Sequence, residues 1–224
     1  YKAVILSQFG FGATIDFDDV THKGITNIST DDVAVAQELG YVIKLVGDVR
    51  EVESGISAEV SPTFLPKNHP LASVNDVMNA VFVESIGIGE SMYYGPGAGQ
   101  KPTATSVLAD IIRIARRLSD GNVGKPFNEF RRDLPLANPA DVKSNYYFAL
   151  DTPDEKGKIL HLSEIFNSED ISFEQVLQQK ANGTTARIVV ITHAMSKTQL
   201  KAVTEKLEAA EDFTVVNTLK VLSN

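Results

Sequence analysis

The chain contains no cysteine. That excludes disulfides, thiolate catalysis and cysteine-held metals, and it fits a reducing compartment, so a cytoplasmic setting is expected. Positive charge is also scarce, with 21 Lys and Arg against 29 Asp and Glu and a formal net charge of −8. No basic cluster interrupts that balance, so neither nucleic acid nor an anionic membrane is an expected partner. No apolar run approaches the ~18 residues of a membrane span. The four histidines, His22, His69, His161 and His193, show no ligand spacing. The acids Asp16, Asp18 and Asp19 imitate a calcium loop but lack its glycine and distal glutamate, so no metal site is expected. The chain opens on "YKAVILSQFGFG", inside an apolar helical run and without a leader signature, so an upstream part is expected.

What is present is enough for a substantial core: 43% of the 224 residues are hydrophobic, in patterns that alternate between periods of two and 3.6. Residues 2–9 read as the end of a buried helix closed by Gly10 and Gly12. "STDDVAVAQELG" reads as a helix, with Ser29 or Thr30 as N-cap, acids in its first turn and Gly40 at its stop. Alternation on both sides of Ser54-Gly55 predicts an antiparallel hairpin from about Tyr41 to Leu65. A second hairpin follows, with strands near 77–85 and 90–95 around glycines at 87–89. Val107, Leu108, Ile111, Ile112, Ala115 and Leu118 then lie at helical spacing between Thr103 and Leu118. Residues 119–145, rich in Gly, Pro, Asn and Asp, read as a linker or ordered loop and as the domain boundary.

Beyond it the order is strand 145–151, helix 157–168, strand 171–180, a turn at Asn182-Gly183, strand 185–194, helix 197–210 and strand 212–222. That order is the ferredoxin-like βαββαβ unit. The expected fold class is therefore α+β. A mixed or antiparallel-sheet domain with helices on one face spans 1–140, and a ferredoxin-like domain spans 145–224.

Three places carry candidate chemistry. "GIGESM" from Gly87 lacks both the third glycine and the helix of a dinucleotide fingerprint, and no Gly-Lys-Ser/Thr follows Gly95 as a phosphate loop requires. "GPGAGQKPTA" reads in two ways. Its glycines let a backbone approach a ligand, with free N–H groups near Thr103 to Thr105 favouring an anion, or they only turn a strand tightly into a helix. Lys2 is an ammonium beside Ala3, Val4, Ile5 and Leu6, either a solvated terminal lysine or a functional one. In "DTPDEKGKILHLSEIF", Gly157, Lys158 and Ile159 form either a plain strand-to-helix turn or a helix terminus that meets a small ligand's carboxylate.

Taken together, four ordered blocks resemble homoserine dehydrogenase over essentially the whole chain: "YKAVILSQFGFG", "GITNISTDDVAVAQELGYVIKLVG", "SPTFLPKNHPLASVNDVMNAVFVE" and "MYYGPGAGQKPTATSVLADI". The resemblance implies a catalytic and dimerising region followed by an ACT regulatory domain. It makes Lys2 the family's catalytic lysine, in a D-x-x-x-K setting whose aspartate lies upstream. It places Gly95, Gly97, Ala98 and Gly99 beside the nicotinamide of NAD(P), which the family binds mainly through a preceding domain. The implied substrates are L-homoserine and L-aspartate 4-semialdehyde. The implied effector is an amino acid, threonine foremost, at Gly157, Lys158 and Ile159, although Lys156 stands where ACT domains often carry proline. A homodimer or homotetramer is expected, and so is inactivity of the chain alone. Alcohol oxidation needs a base that takes the hydroxyl proton, and a lysine in an apolar, pocket-lining setting can serve as one. The alternative is an amino-acid-sensing and dimerisation module without chemistry of its own.

Overall fold

Opposed carboxylates, helix caps and one tight glycine turn set the framework. The structure, a computed structural model, describes every residue except 123, 125–129, 183, 184, 223 and 224. The chain divides into two compact units, one of residues 1–66 with 131–224 and the other of residues 67–130.

In the first unit α1 (Lys2–Phe11) ends where Gly12 takes the left-handed conformation, φ 70°. Its expected burial is not found. Only Ala3 and Ser7 are buried, while Ile5, Leu6 and Phe9 remain exposed, because a single face meets the sheet. After β1 (Thr21–His22), α2 (Thr30–Glu38) starts with a capping box between Ser29 and Asp32. The strands β2 (Tyr41–Val52) and β3 (Gly55–Pro66) pair antiparallel from Tyr41↔Pro66 to Val52↔Gly55. Gly55 has φ 144°, and a Cβ there would collide with the Pro135 carbonyl, so only glycine fits this turn.

The second unit holds β4 (Met78–Ser85), β5 (Gly89–Pro96) and α3 (Gln100–Ser119). Its hairpin matches the sequence reading. None of its described residues is fully buried, and the apolar stripe of α3 is exposed, with Val107, Leu108 and Ile111 each more than half accessible.

The first unit resumes with residues 131–142, which run as an ordered strap. Leu136 bridges Ile56, the Arg132 amide donates to the Gly12 carbonyl, and the Arg132 guanidinium grips Glu51 through two 2.6 Å hydrogen bonds. The remaining elements are β6 (Lys143–Pro153), α4 (Lys158–Asn167), β7 (Phe173–Asn182), β8 (Thr185–Thr192), β9 (Met195–Ser196), α5 (Lys197–Ala209) and β10 (Thr214–Val221). Apart from the two-residue β9, this is the expected βαββαβ order. Gly183 of the anticipated turn lies outside the described residues, as do positions 123 and 125–129 of the anticipated linker.

The two sheets read from the sequence are one. The order is β1-β3-β10-β6-β8-β7, with β2 pairing on β3. The junction is a short parallel pairing, Lys220↔Thr63 and Val221↔Phe64, which satisfies backbone groups on the free sides of both strands. Alternation then covers both faces of the ferredoxin-like sheet. Phe148, Leu150, Ile188 and Val190 pack on Leu162 and Phe166 of α4 and on Val203 and Leu207 of α5. Tyr147, Ala149, Val189 and Leu219 face the other way, onto Val35 and Ala36 of α2.

Two polar fasteners tie the N-terminal segment to this sheet. Asp32, 1% exposed, accepts from the Ser29 amide and hydroxyl, from Tyr147 Oη at 2.9 Å and from Asn217 Nδ2 at 3.0 Å. Burial alone would raise its pKa, but these donors hold it below the ordinary carboxylate value. The second fastener is ionic. Asp48 and Glu59 stand directly opposite each other in the hairpin, and Lys220, 6% exposed, lies in contact with both. Lys197 reaches Glu59 at 2.8 Å, and Arg50 Nε donates to Asp48 at 3.0 Å. Despite burial, Lys220 and its cationic neighbours hold both carboxyls below their ordinary values of 3.8 and 4.5. Burial, with Glu59 nearby, pushes the neighbouring Tyr146 phenol up to about 12.

Replacing Lys220 by methionine strands two facing carboxylates and is expected to cost about 3 kcal/mol in urea unfolding at pH 7. Native carboxyls with depressed pKa values stabilise fully above their unfolded values, and that stability is lost as pH falls through the folded ones. Wild-type stability should therefore decline below about pH 4. The deficit of Lys220→Met should instead narrow on acidification, and a deficit independent of pH would exclude this account. Tyr147→Phe removes one donor to Asp32 and should cost about 1.5–3 kcal/mol in the same assay.

Candidate functional site

The candidate residues fall in three places, described in chain order. Lys2 begins α1, whose N-cap Tyr1 supplies no side-chain hydrogen bond. The inner face of that helix is held by Ala3 and by Ser7, whose hydroxyl donates to the Val4 carbonyl at 2.7 Å and the Ala13 carbonyl at 3.1 Å. Lys2 itself is exposed, so the apolar enclosure expected around it is not observed. Its ammonium is open to an incoming molecule.

The glycine turn lies in the second unit, between β5 and α3. What an added Cβ would meet differs among these glycines. At Gly97 a Cβ would overlap the Asn79 amide, while the Gly97 N–H donates to the Val77 carbonyl at 3.1 Å. Gly99 has φ 121° and caps α3, its carbonyl accepting from the Thr103 amide at 3.2 Å and the Thr103 hydroxyl at 2.8 Å. Both are explained by the turn itself. Gly95 is not, since a Cβ there meets nothing within 4 Å and its φ is not in the left-handed range. The space before Gly95 is open, and Ala98, nearby in the sequence, is exposed.

The helix also starts earlier than its sequence suggests, at Gln100. The Thr103 amide is consequently bonded to Gly99 rather than free for an anion. The unsatisfied first-turn donors shift to Gln100 and Lys101, and Pro102 has none to offer.

The third place is the start of α4. Gly157, φ 93°, is its N-cap. The Lys158 ammonium is already engaged, by Asp212 at 2.7 Å and Glu155 at 3.3 Å, and Asp212 also meets His161 Nδ1 at 2.9 Å. Bonds to those two partners hold Asp212 below its ordinary pKa. Ile159 is 42% exposed. A ligand carboxylate here has backbone N–H groups to meet, while the Lys158 ammonium is held by the protein's own acids.

Among the described residues, no group of three or more His, Asp or Glu side chains could hold a metal ion. No described helix is long and apolar enough to cross a membrane.

Sequence reasoning missed the Asp48–Glu59–Lys220 cluster, although a signal was available. A hairpin turning at Ser54-Gly55 sets residue 48 against residue 59, and facing acids demand a cation.

Fold and site together define an α+β protein in which a ferredoxin-like unit shares one sheet with a hairpin-and-helix segment, carrying an exposed lysine and, separately, a glycine turn. A family model for homoserine dehydrogenase matches residues 1–112. The homoserine dehydrogenase of Lactococcus lactis subsp. lactis is 58% identical over all 224 residues, and that of Bacillus subtilis is 34% identical over 94% of the chain. The matches cover 52% and 49% of those proteins, so the chain spans about half the length of the curated relatives it matches. The crystal structure of a homoserine dehydrogenase from Thiobacillus denitrificans superposes with TM-score 0.89 at 31% identity, covering 99% of this chain and 52% of that one. The chain belongs to the homoserine dehydrogenase family.

Gly95→Ala should leave the melting temperature unchanged, because its Cβ enters open space. Gly99→Ala forces alanine to a strongly positive φ and should cost about 1–3 kcal/mol. Equal melting temperatures for the two variants would remove the distinction between a glycine that the turn requires and one that it does not.

Proposed function

We propose that this chain is the catalytic and regulatory half of an NAD(P)H-dependent enzyme that interconverts L-aspartate 4-semialdehyde and L-homoserine, in the biosynthesis of threonine, methionine and isoleucine. The observation that carries the reading is the family match across the segments that bear Lys2 and the Gly95–Gly99 turn. In this reading Lys2 moves the proton at the substrate's oxygen. Reduction of an aldehyde leaves an alkoxide that needs a proton, and oxidation of the alcohol needs that proton taken away. The exposure of Lys2 supports such access.

Gly95, Gly97, Ala98 and Gly99 would lie against the nicotinamide ring. The bare approach to the Gly95 backbone fits a flat ring, whereas the space at Gly97 is taken by Asn79. When bound, NAD(P)H supplies the hydride. The chain's own residues position the substrate oxygen at the Lys2 ammonium. The remaining nucleotide contacts belong to the part of the family outside these 224 residues, so the chain alone should turn over no homoserine.

We further propose that residues 145–224 form an ACT-type regulatory domain, with Gly157, Lys158 and Ile159 at the amino-acid effector site and threonine as its ligand. The βαββαβ sheet with two helices on one face supports this. The protein is proposed to act in the cytoplasm as a homodimer or homotetramer. The exposed apolar side chains of β4, β5 and α3, among them Val81, Tyr93 and Ile111, support self-association, because such surfaces mark interfaces.

In the full-length enzyme, Lys2→Ala should lower kcat by about 10²-fold or more. Its melting temperature should stay unchanged, as expected for an exposed side chain. An unaffected kcat would remove Lys2 from the chemistry. L-threonine at a hundredfold excess over Kd should stabilise the protein by about 2.7 kcal/mol. Absence of any shift with threonine, isoleucine or methionine would leave the C-terminal domain without the proposed effector.

A further inference from the structure

α1 carries Lys2 at its start and meets the rest of the first unit along a thin line. Ala3 and Ser7, one turn apart, are its buried residues, while Ile5, Leu6 and Phe9 face outward. A helix of 10 residues is about 15 Å long, so a small tilt at one end displaces the other. Tyr1 supplies no side-chain cap at the start. The polar ties to the rest of the unit lie at the far end.

There the Ser7 hydroxyl donates to the Ala13 carbonyl, a bond within the helix's own exit. The tie from outside is the Arg132 amide, which donates to the Gly12 carbonyl at 2.9 Å. Arg132 belongs to the strap of residues 131–142, which runs without helix or strand and so depends on what it grips. It grips one cross-strand pair of the hairpin, Glu51↔Ile56, on both sides. The Ile56 amide donates to the Pro135 carbonyl and the Ala137 amide to the Ile56 carbonyl, each at 2.9 Å. Arg132 lies ahead of these bonds, where its guanidinium extends the grip through Nη1 and Nη2, both 2.6 Å from Glu51 oxygens. Such a fork fixes direction as well as distance. One residue thus holds the hairpin with its side chain and the end of α1 with its backbone.

We propose, on the reading of Lys2 given above, that Arg132 is a positioning residue: clamped on Glu51, it fixes the end of α1 and so sets where the Lys2 ammonium stands. Passing a proton to the substrate's oxygen requires hydrogen-bond distance, and an ångström of misplacement can cost about a hundredfold in rate. The clamp contributes little to stability by comparison, because both of its side chains are more than a third exposed. Its loss should therefore be read in turnover and not in melting.

The test uses the full-length enzyme, with kcat and KM for L-homoserine oxidation measured beside thermal melting. Arg132→Gln should lower kcat about tenfold or more, with KM and the melting temperature little changed. Glu51→Gln opens the clamp from the other side and should give the same loss, which keeps the test intact if the Arg132 variant does not fold. In a Lys2→Ala background no ammonium is left to place, so Arg132→Gln should lower kcat no further. A kcat that both single variants leave unchanged overturns the proposal, and so does an equal loss with and without Lys2. A rise in KM with kcat intact overturns it too, since Arg132 would then be a binding group. If Lys2→Ala alone left kcat unchanged, the reading of Lys2 itself would fall, and the clamp would have nothing to position.

Discussion

Two carboxylates that cannot avoid each other organise the first unit. Once β2 and β3 turn at Ser54-Gly55, Asp48 and Glu59 are cross-strand neighbours, and like charges in that position repel. Part of the relief is a cation brought to the far side of β3. That cation is Lys220, on the last strand of the chain, and it arrives by pairing β10 in parallel with β3. Lys197 at the start of α5 and Arg50 on β2 complete the charge balance. The hairpin and the ferredoxin-like unit thus share one sheet because an ionic requirement in the former is met by the latter. Burying such a cluster costs desolvation, so its main effect is specificity: a slipped β3–β10 register would leave a buried charge alone.

This junction also shows what a single sequence makes legible. The hairpins, an N-cap at Ser29 or Thr30, the α3 stripe and the βαββαβ order all rest on local signals, on period and turn chemistry over a dozen residues, and those appear in the structure, with Ser29 as the cap. The shared sheet rests on contacts between residues 48, 59 and 220, which no local pattern announces. The burial of α1 was misread for a related reason. An apolar composition says that a helix has surface to hide, but not how much of it this chain hides, and Ile5, Leu6 and Phe9 stay exposed.

The candidate site divides along the same line. The glycines of "GPGAGQ" are visible in the sequence, yet their separate purposes are not, because purpose depends on what stands where a Cβ would go. Asn79 stands there at Gly97, φ decides at Gly99, and nothing stands there at Gly95. Periodicity likewise put the start of α3 at Thr103, while hydrogen bonding from Thr103 to the Gly99 carbonyl draws it back to Gln100. A helix start read from apolar spacing marks the first residue that packs, and the first residue that bonds can precede it by a turn.

The ferredoxin-like sheet brings these points together. Sheets of this kind have two helices on one face and leave the other to be covered. Here α2 covers it, packing Val35 and Ala36 on Tyr147 and Leu219, and the capping carboxylate Asp32 bonds Tyr147 and Asn217 across the same contact. One residue therefore starts a helix and fastens that helix to a sheet more than a hundred positions away. The α2 contact buries Tyr147, Ala149, Val189 and Leu219, while Val176 on the outer strand β7 stays exposed. The end away from the β3 junction holds the Gly157 turn together with Glu155 and Asp212. There the helix start is fastened to the approach of the last strand, because Lys158 and His161 of α4 both meet Asp212 just before β10.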